Sequence, residues 1–144
     1  MISLTLSPFN KSMAGNPRAS DSDAAPMALS EQQLHLFGQI GGNTKAVVVQ
    51  GTLAYLGVGP RVVVLNVADP MYPTVVGTSF VLPGLVLDLK LVGSRLYVAA
   101  GTAGLLILDV TNPLLPLELG SIDTPGNAKR VVIHDHYAFV ADGG

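Results

Sequence analysis

The feature that most constrains this chain is an internal period of 42 residues. Gly42, Gly84 and Gly126 are 42 apart, as are Tyr55, Tyr97 and Phe139, and again Gly59, Gly101 and Gly143. Between these anchors Gly51 aligns with Gly93 and Asp135, and Val47, Leu89 and Val131 form an apolar column. A second group, Pro70 with Pro113, Pro73 with Pro116 and Gly77 with Gly120, is spaced by 43. The compensating one-residue length changes fall between the apolar runs, where loops tolerate them and strands do not. A unit repeated in this way buries its faces against its neighbours, so the fold is a stack of similar supersecondary units.

Each copy divides into four short apolar runs: KAVVVQ, LAYLGV, RVVVLNV and TVVGTSF, then LDLKLV, RLYVAA, LLILDV and LELGSI. Strand length, enrichment in Val, Ile, Leu and Tyr, and Gly or Pro at the interruptions predict four antiparallel strands per unit. Four strands in about 42 residues suit a propeller blade better than any helical repeat. The expected fold is therefore all-β, a partial β-propeller of four-stranded antiparallel blades. Residues 42–83 and 84–125 form two blades, and 126–144 form an incomplete one, ending where its third strand should begin. The run LHLFG resembles LELG, the fourth strand of a copy, so 34–41 reads as the last strand of a preceding blade. Residues 1–33, rich in Ser, Ala, Pro, Asn and Asp and without period, read as a disordered tail or linker, with a short helix allowed at 28–34. Tyr55, Tyr97 and Phe139 are expected at blade interfaces. Two and a fraction blades cannot close a ring, so missing blades or other copies of the chain are expected to complete it, as for a piece of a longer array.

Composition narrows the function classes. The eight Lys and Arg are scattered and the net charge is -2, so no basic stripe exists for a nucleic acid. Cysteine is absent, which removes disulfides, thiolate nucleophiles and cysteine-ligated metals. The uncharged stretch from Pro70 to Leu87 has the length of a membrane span, but three prolines and two glycines interrupt it and the repeat register places it across a turn, a strand and a loop. MISLTLSPFN lacks the basic and apolar regions of a secretory signal.

LLILDVTNPLLPLELGSIDTPGNA and VVIHDHYAFVADGG resemble the bacterial and archaeal LVIVD-repeat family, whose name matches the strand that here reads LLILD. The resemblance is carried by Leu105, Ile107, Asp109, Val110, Asn112, Pro113, Pro116, Gly120, Thr124, Pro125 and Gly126, and by Ala138, Val140, Ala141, Asp142 and Gly143. The first copy departs with Asn66 in place of Asp109 and Leu82 in place of Thr124; Asn still offers an oxygen to turn amides, without the charge. The resemblance implies propeller blades, a cell-surface or exported location, and no shared enzymatic activity.

The residues with chemical potential each have a structural counter-reading. His134, Asp135 and His136 are a conceivable start for a metal site, but they align with hairpin turns, and His35 is far away in sequence, so no metal site is expected. Asp88 and Arg130 occupy equivalent positions on the first strand of their blades, which lines the channel of a propeller, and so are candidate ligand-binding residues; an ion pair of Asp88 with Lys90 is the structural alternative. Asp142 is a third candidate on the loop face, with a turn role as its alternative, as for Asp69 before Pro70. No nucleophile elbow or paired-carboxylate pattern occurs, and no cofactor is expected. The expected function is a non-catalytic scaffold presenting the variable tops GVGPR, AGTAG and ADGG to a protein or carbohydrate. The rival is a fragment of a propeller enzyme whose active site lies in other blades.

Overall fold

The computed structural model describes residues 43–144 in full, together with the backbone of Ile2–Leu6 and Leu34–Gln39. Every regular element among the described residues is a strand. The first repeat unit is a four-stranded antiparallel meander of β3 (Thr44–Gln50), β4 (Leu53–Val58), β5 (Arg61–Asn66) and β6 (Thr74–Thr78). The second repeats it with β7 (Asp88–Val92), β8 (Arg95–Ala99), β9 (Leu105–Asp109) and β10 (Leu117–Ile122), and the third contributes the hairpin β11 (Ala128–His134) and β12 (Tyr137–Asp142). The stretch from Pro70 to Leu87 is split between a turn, β6 and a connection, and no helix among the described residues is long and apolar enough to cross a membrane.

Turn chemistry fixes the register. The hairpin between the first two strands of each unit has a two-residue turn whose first residue takes positive φ: Gly51 at 59°, Gly93 at 60° and Asp135 at 52°. A positive φ at this position matches the right-handed twist of the flanking strands, and glycine supplies it without steric cost. Asp tolerates the same conformation at some cost, which accounts for its place in the glycine column. After the third strand, Asn66 Oδ1 accepts the Ala68 amide at 2.9 Å and Asp109 Oδ1 accepts the Thr111 amide at 2.8 Å. The side-chain oxygen is what this turn uses, and the charge is dispensable.

The sheets pack face to face through their neighbours. Tyr55, Val62 and Val64 of the first sheet meet Leu89, Leu96, Val98, Leu106 and Leu108 of the second in the main core. Ala99 and Leu105, on the opposite face of the second sheet, meet Ala128 and Val131 with Tyr97 packed against them. The first strands gather together, with β7 lying against both β3 and β11. Backbone bonds tie each unit to the next: Val86 N donates to Gly59 O at 2.9 Å, and Ala128 N donates to Gly101 O at 2.9 Å, one period later. Gly77 is required by the same stacking, since a Cβ there would overlap the Pro113 and Leu114 carbonyls of the next unit.

The amino-terminal region departs from a uniformly irregular tail. β1 (Ile2–Leu6) pairs antiparallel with β2 (Leu34–Gln39), and the expected strand at 34–41 is β2. The pair has the signature of a third and fourth strand. In each four-stranded sheet the fourth strand bulges at the residue before a glycine, Val76 before Gly77 and Leu119 before Gly120, and β2 bulges at Phe37 before Gly38. Pairing then aligns ISLTL with VVLNV (63–67) and LILDV (106–110), so that Thr5 stands where Asn66 and Asp109 do. The remaining expectations for the tail, including the short helix, lie outside the described residues.

Candidate functional site

The charged candidates sit in the joints between units. Asp88 is half-buried on β7, and its Oδ2 accepts the Val131 amide of β11 at 3.0 Å. The pairing with Lys90 is not formed: among the described residues no Lys or Arg lies within ion-pairing distance of a carboxylate. The reason is register, because the unpaired edge of β11 presents a buried amide to the carboxylate, whereas Lys90 projects to solvent. Arg130, the equivalent of Asp88 one period on, is exposed and makes no side-chain hydrogen bond or ion pair among the described residues. Asp142, at the end of β12, accepts Thr124 Oγ1 at 3.0 Å and the Gly126 amide at 2.8 Å, which fastens the connection between the second and third units.

His134, Asp135 and His136 occupy the hairpin between β11 and β12, as their alignment predicts. His134 Nε2 and Asp135 Oδ2 are 3.4 Å apart on side chains that are largely exposed. No group of three metal-ligating side chains converges among the described residues.

The most conspicuous surface feature lies in the connections between third and fourth strands, which an antiparallel meander places at the same end as the His134–His136 hairpin. In Asp69-Pro70-Met71-Tyr72 the Tyr72 amide donates to Asp69 O at 3.1 Å, and the Met71 amide donates to Asp69 Oδ1 at 2.9 Å. Asn112-Pro113-Leu114-Leu115 repeats both bonds, at 3.2 Å and 3.1 Å. A proline at the second turn position presets φ, and the Asx oxygen holds the following amide, so both turns are rigid. Each projects two apolar side chains into solvent, Met71 with Tyr72 and Leu114 with Leu115, with Tyr72 at 72% exposure. In the sequence these prolines serve as register marks, and the expected presenting tops GVGPR, AGTAG and ADGG lie at the opposite end. The signal available was PMYP and PLLP, apolar pairs inside turns that need only polar residues.

A cleft of about 800 Å³ opens between the second sheet and the β11–β12 hairpin, lined by Tyr97, Leu105, Ile107, Ile122, Ile133 and Tyr137 among others. Its counterpart between the first and second sheets is filled: Val62 and Val64, the equivalents of Leu105 and Ile107, are fully buried against the third strand of the next unit.

No curated protein matches the chain. The family model described as LVIVD repeat matches residues 41–79, 83–124 and 125–144. These boundaries follow the two sheets and the hairpin, and they cover well over half of the sequence, so the chain belongs to the LVIVD-repeat family.

Proposed function

We propose that the repeat units are blades of a β-propeller and that the protein is a non-catalytic interaction scaffold, displayed at the cell surface or exported, that binds a protein or carbohydrate. Support for the arrangement comes from the neighbouring first strands β3, β7 and β11, which would line a central channel, and from the face-to-face packing of successive sheets. The observation that carries the functional reading is the repeated presentation of Met71 with Tyr72 and of Leu114 with Leu115 on rigid turns at one end of the sheets. A turn backbone preset by proline and an Asx bond presents apolar side chains at a lower ordering cost than a free loop, and a rigid frame carrying variable turns is a common basis for recognition. Asp88 and Asp142 are engaged in joining units, so the candidate charge on the channel side is Arg130.

The test is binding to immobilised glycan and peptide arrays by the chain and by a Tyr72→Ser, Leu115→Ser double variant, with circular dichroism as the control on folding. Retention on a defined set of spots that the variant loses supports the reading. Retention unchanged in the variant, or none at all, refutes the assignment of this end as the binding face.

A further inference from the structure

The apolar pairs on the connections between third and fourth strands restrict the chemistry of what they can meet. Met71 and Tyr72 are exposed with the following unit in place, and Leu114 and Leu115 are exposed with the preceding unit in place. Their exposure is therefore a property of the turn and not of a neighbour on one side.

The backbone of both tips offers no free donor. Pro70, Pro73, Pro113 and Pro116 have no N–H. The Met71 and Tyr72 amides are held by Asp69, and those of Leu114 and Leu115 by Asn112. Within residues 70–73 and 113–116 the one remaining donor is the Tyr72 hydroxyl. An extended peptide that pairs with an edge needs alternating donors and acceptors, and a polar ligand is oriented by several convergent hydrogen bonds. Tips made of apolar side chains and carbonyl oxygens meet neither need. They suit a partner whose backbone groups are already paired within itself, as those of an α-helix are.

Charge adds a second restriction. Residues 66–74 and 109–122 contain no Lys or Arg, and their charged side chains are the carboxylates Asp69, Asp109 and Glu118. Arg95 stands opposite Asp109 in the sheet, which leaves Asp69 and Glu118, both exposed, as an acidic rim around the pairs. Anionic lipid surfaces attract basic segments, so an acidic rim opposes a membrane and favours a cationic partner.

Spacing sets the length. Gly77 on β6, the strand that follows the first turn, backs onto the Pro113 and Leu114 carbonyls, so about 17 Å of extended chain separates the two pairs. A helix covers that distance in about three turns, or roughly 11 residues.

We propose that the partner at this end is a protein α-helix, apolar along one face and flanked by Lys or Arg, that lies across both turns with that face on Met71, Tyr72, Leu114 and Leu115. The inference rests on the reading of this end as the binding face, and it narrows the partner from a protein or carbohydrate to a helix of this chemistry. Apolar residues at i, i+4, i+7 and i+11 form one face over the required length. The basic flanks meet Asp69 and Glu118 at the rim, which makes the association weaken with salt.

The test presents four immobilised probes to the whole chain: a peptide of about 15 residues of Leu and Lys with Leu at helical spacing, the same residues scrambled to break the period, a glycan array, and phosphatidylcholine vesicles with and without phosphatidylserine. The helical peptide should be retained, and the scrambled one retained at least about tenfold more weakly. Tyr72→Ser with Leu115→Ser should weaken retention about tenfold or more, with circular dichroism unchanged. Asp69→Asn with Glu118→Gln keeps an oxygen for the turn amide, as Asn112 does, and should weaken retention about threefold while removing most of its salt dependence. Equal retention of the two peptides, or salt dependence that the charge variant leaves intact, overturns the basic helix. Retention on glycans or vesicles that the double serine variant loses, with none on the helical peptide, overturns this partner and leaves the binding face standing. Retention on no probe, or none that the double serine variant weakens, overturns the binding face and the helix with it.

Discussion

Asp88 offers a test in which the repeat supplies its own control. Its carboxylate accepts the Val131 amide at 3.0 Å across the joint between the second and third units, and Val131 is buried. A hydrogen bond to a charged group contributes about 1.5–3 kcal/mol net, and leaving a buried amide without an acceptor costs about 1–3 kcal/mol. Asp88→Ala should therefore cost about 2 kcal/mol, whereas Asp88→Asn, which keeps an oxygen acceptor, should cost about half as much. The loss is confined to one joint, so it should appear as local opening of the β11–β12 hairpin. Hydrogen exchange of the Val131 amide should accelerate about 30-fold in Asp88→Ala, the equivalent of that energy at tenfold per 1.4 kcal/mol. The equivalent position in the first unit is Ala46, which offers Leu89 no acceptor. Ala46 is itself buried in the main core, so the comparison is made between Val131 and Leu89 in the unmodified chain and not by placing a carboxylate at 46. If Asp88→Ala changes Val131 exchange no more than it changes exchange in β4, the carboxylate does not hold the joint and the reasoning fails.

Three further outcomes follow from equivalent positions in unequal surroundings. Gly77→Ala should destabilise by at least about 2 kcal/mol in urea unfolding, because its Cβ meets backbone of the next unit, while Gly120→Ala, with nothing near its Cβ, should stay within about 0.5 kcal/mol. Asp135→Gly should stabilise by about 0.5–1 kcal/mol, read as a raised melting temperature, by removing a side chain from a left-handed turn position. The Thr111 hydroxyl and amide hold the Asp109 carboxyl below its usual value of 3.8, with Arg95 adding to the effect against a small desolvation penalty. A depressed folded value gives stability that is complete above 3.8 and is lost as pH falls through the folded value, so Asp109→Asn should flatten the acid limb of the stability curve below about pH 4. An unchanged acid limb would remove Asp109 from the account.

The strands of the three repeat units, their order and their turns are legible because they depend on local chemistry that repeats. The alignment of Asp135 with Gly51 and Gly93 marks a hairpin turn, and Asp135 takes the same positive φ as the two glycines. β1 is not legible, because ISLTL has no counterpart at the repeat spacing on its own side and its identity emerges only from pairing, through the bulge at Phe37. The joints were not legible either. Along the strand the sequence offers Asp88 only Lys90, whereas its partner Val131 lies about one period away, and periodicity does not say which edge of a strand meets the next unit. The exposed apolar pairs are not legible because the flanking prolines account for the turns by themselves, and periodicity does not say how far a turn projects.

The aromatic column shows why a single copy of the repeat is a poor guide to its surroundings. Tyr55 is 3% exposed, Tyr97 is intermediate and Phe139 is 59% exposed, although all three occupy the same place on the second strand of their units. The gradient follows what stands on the far side: a complete sheet for Tyr55, a two-stranded hairpin for Tyr97, and no further unit of the described chain for Phe139. Burial in this fold is thus a property of the joint and not of the unit. Stability in such an array is a sum over joints between neighbours, and each joint is worth what the next unit covers. Position 139 stands in the same register as Tyr55 and Tyr97, so its burial is set by the unit that faces it and not by the hairpin that carries it.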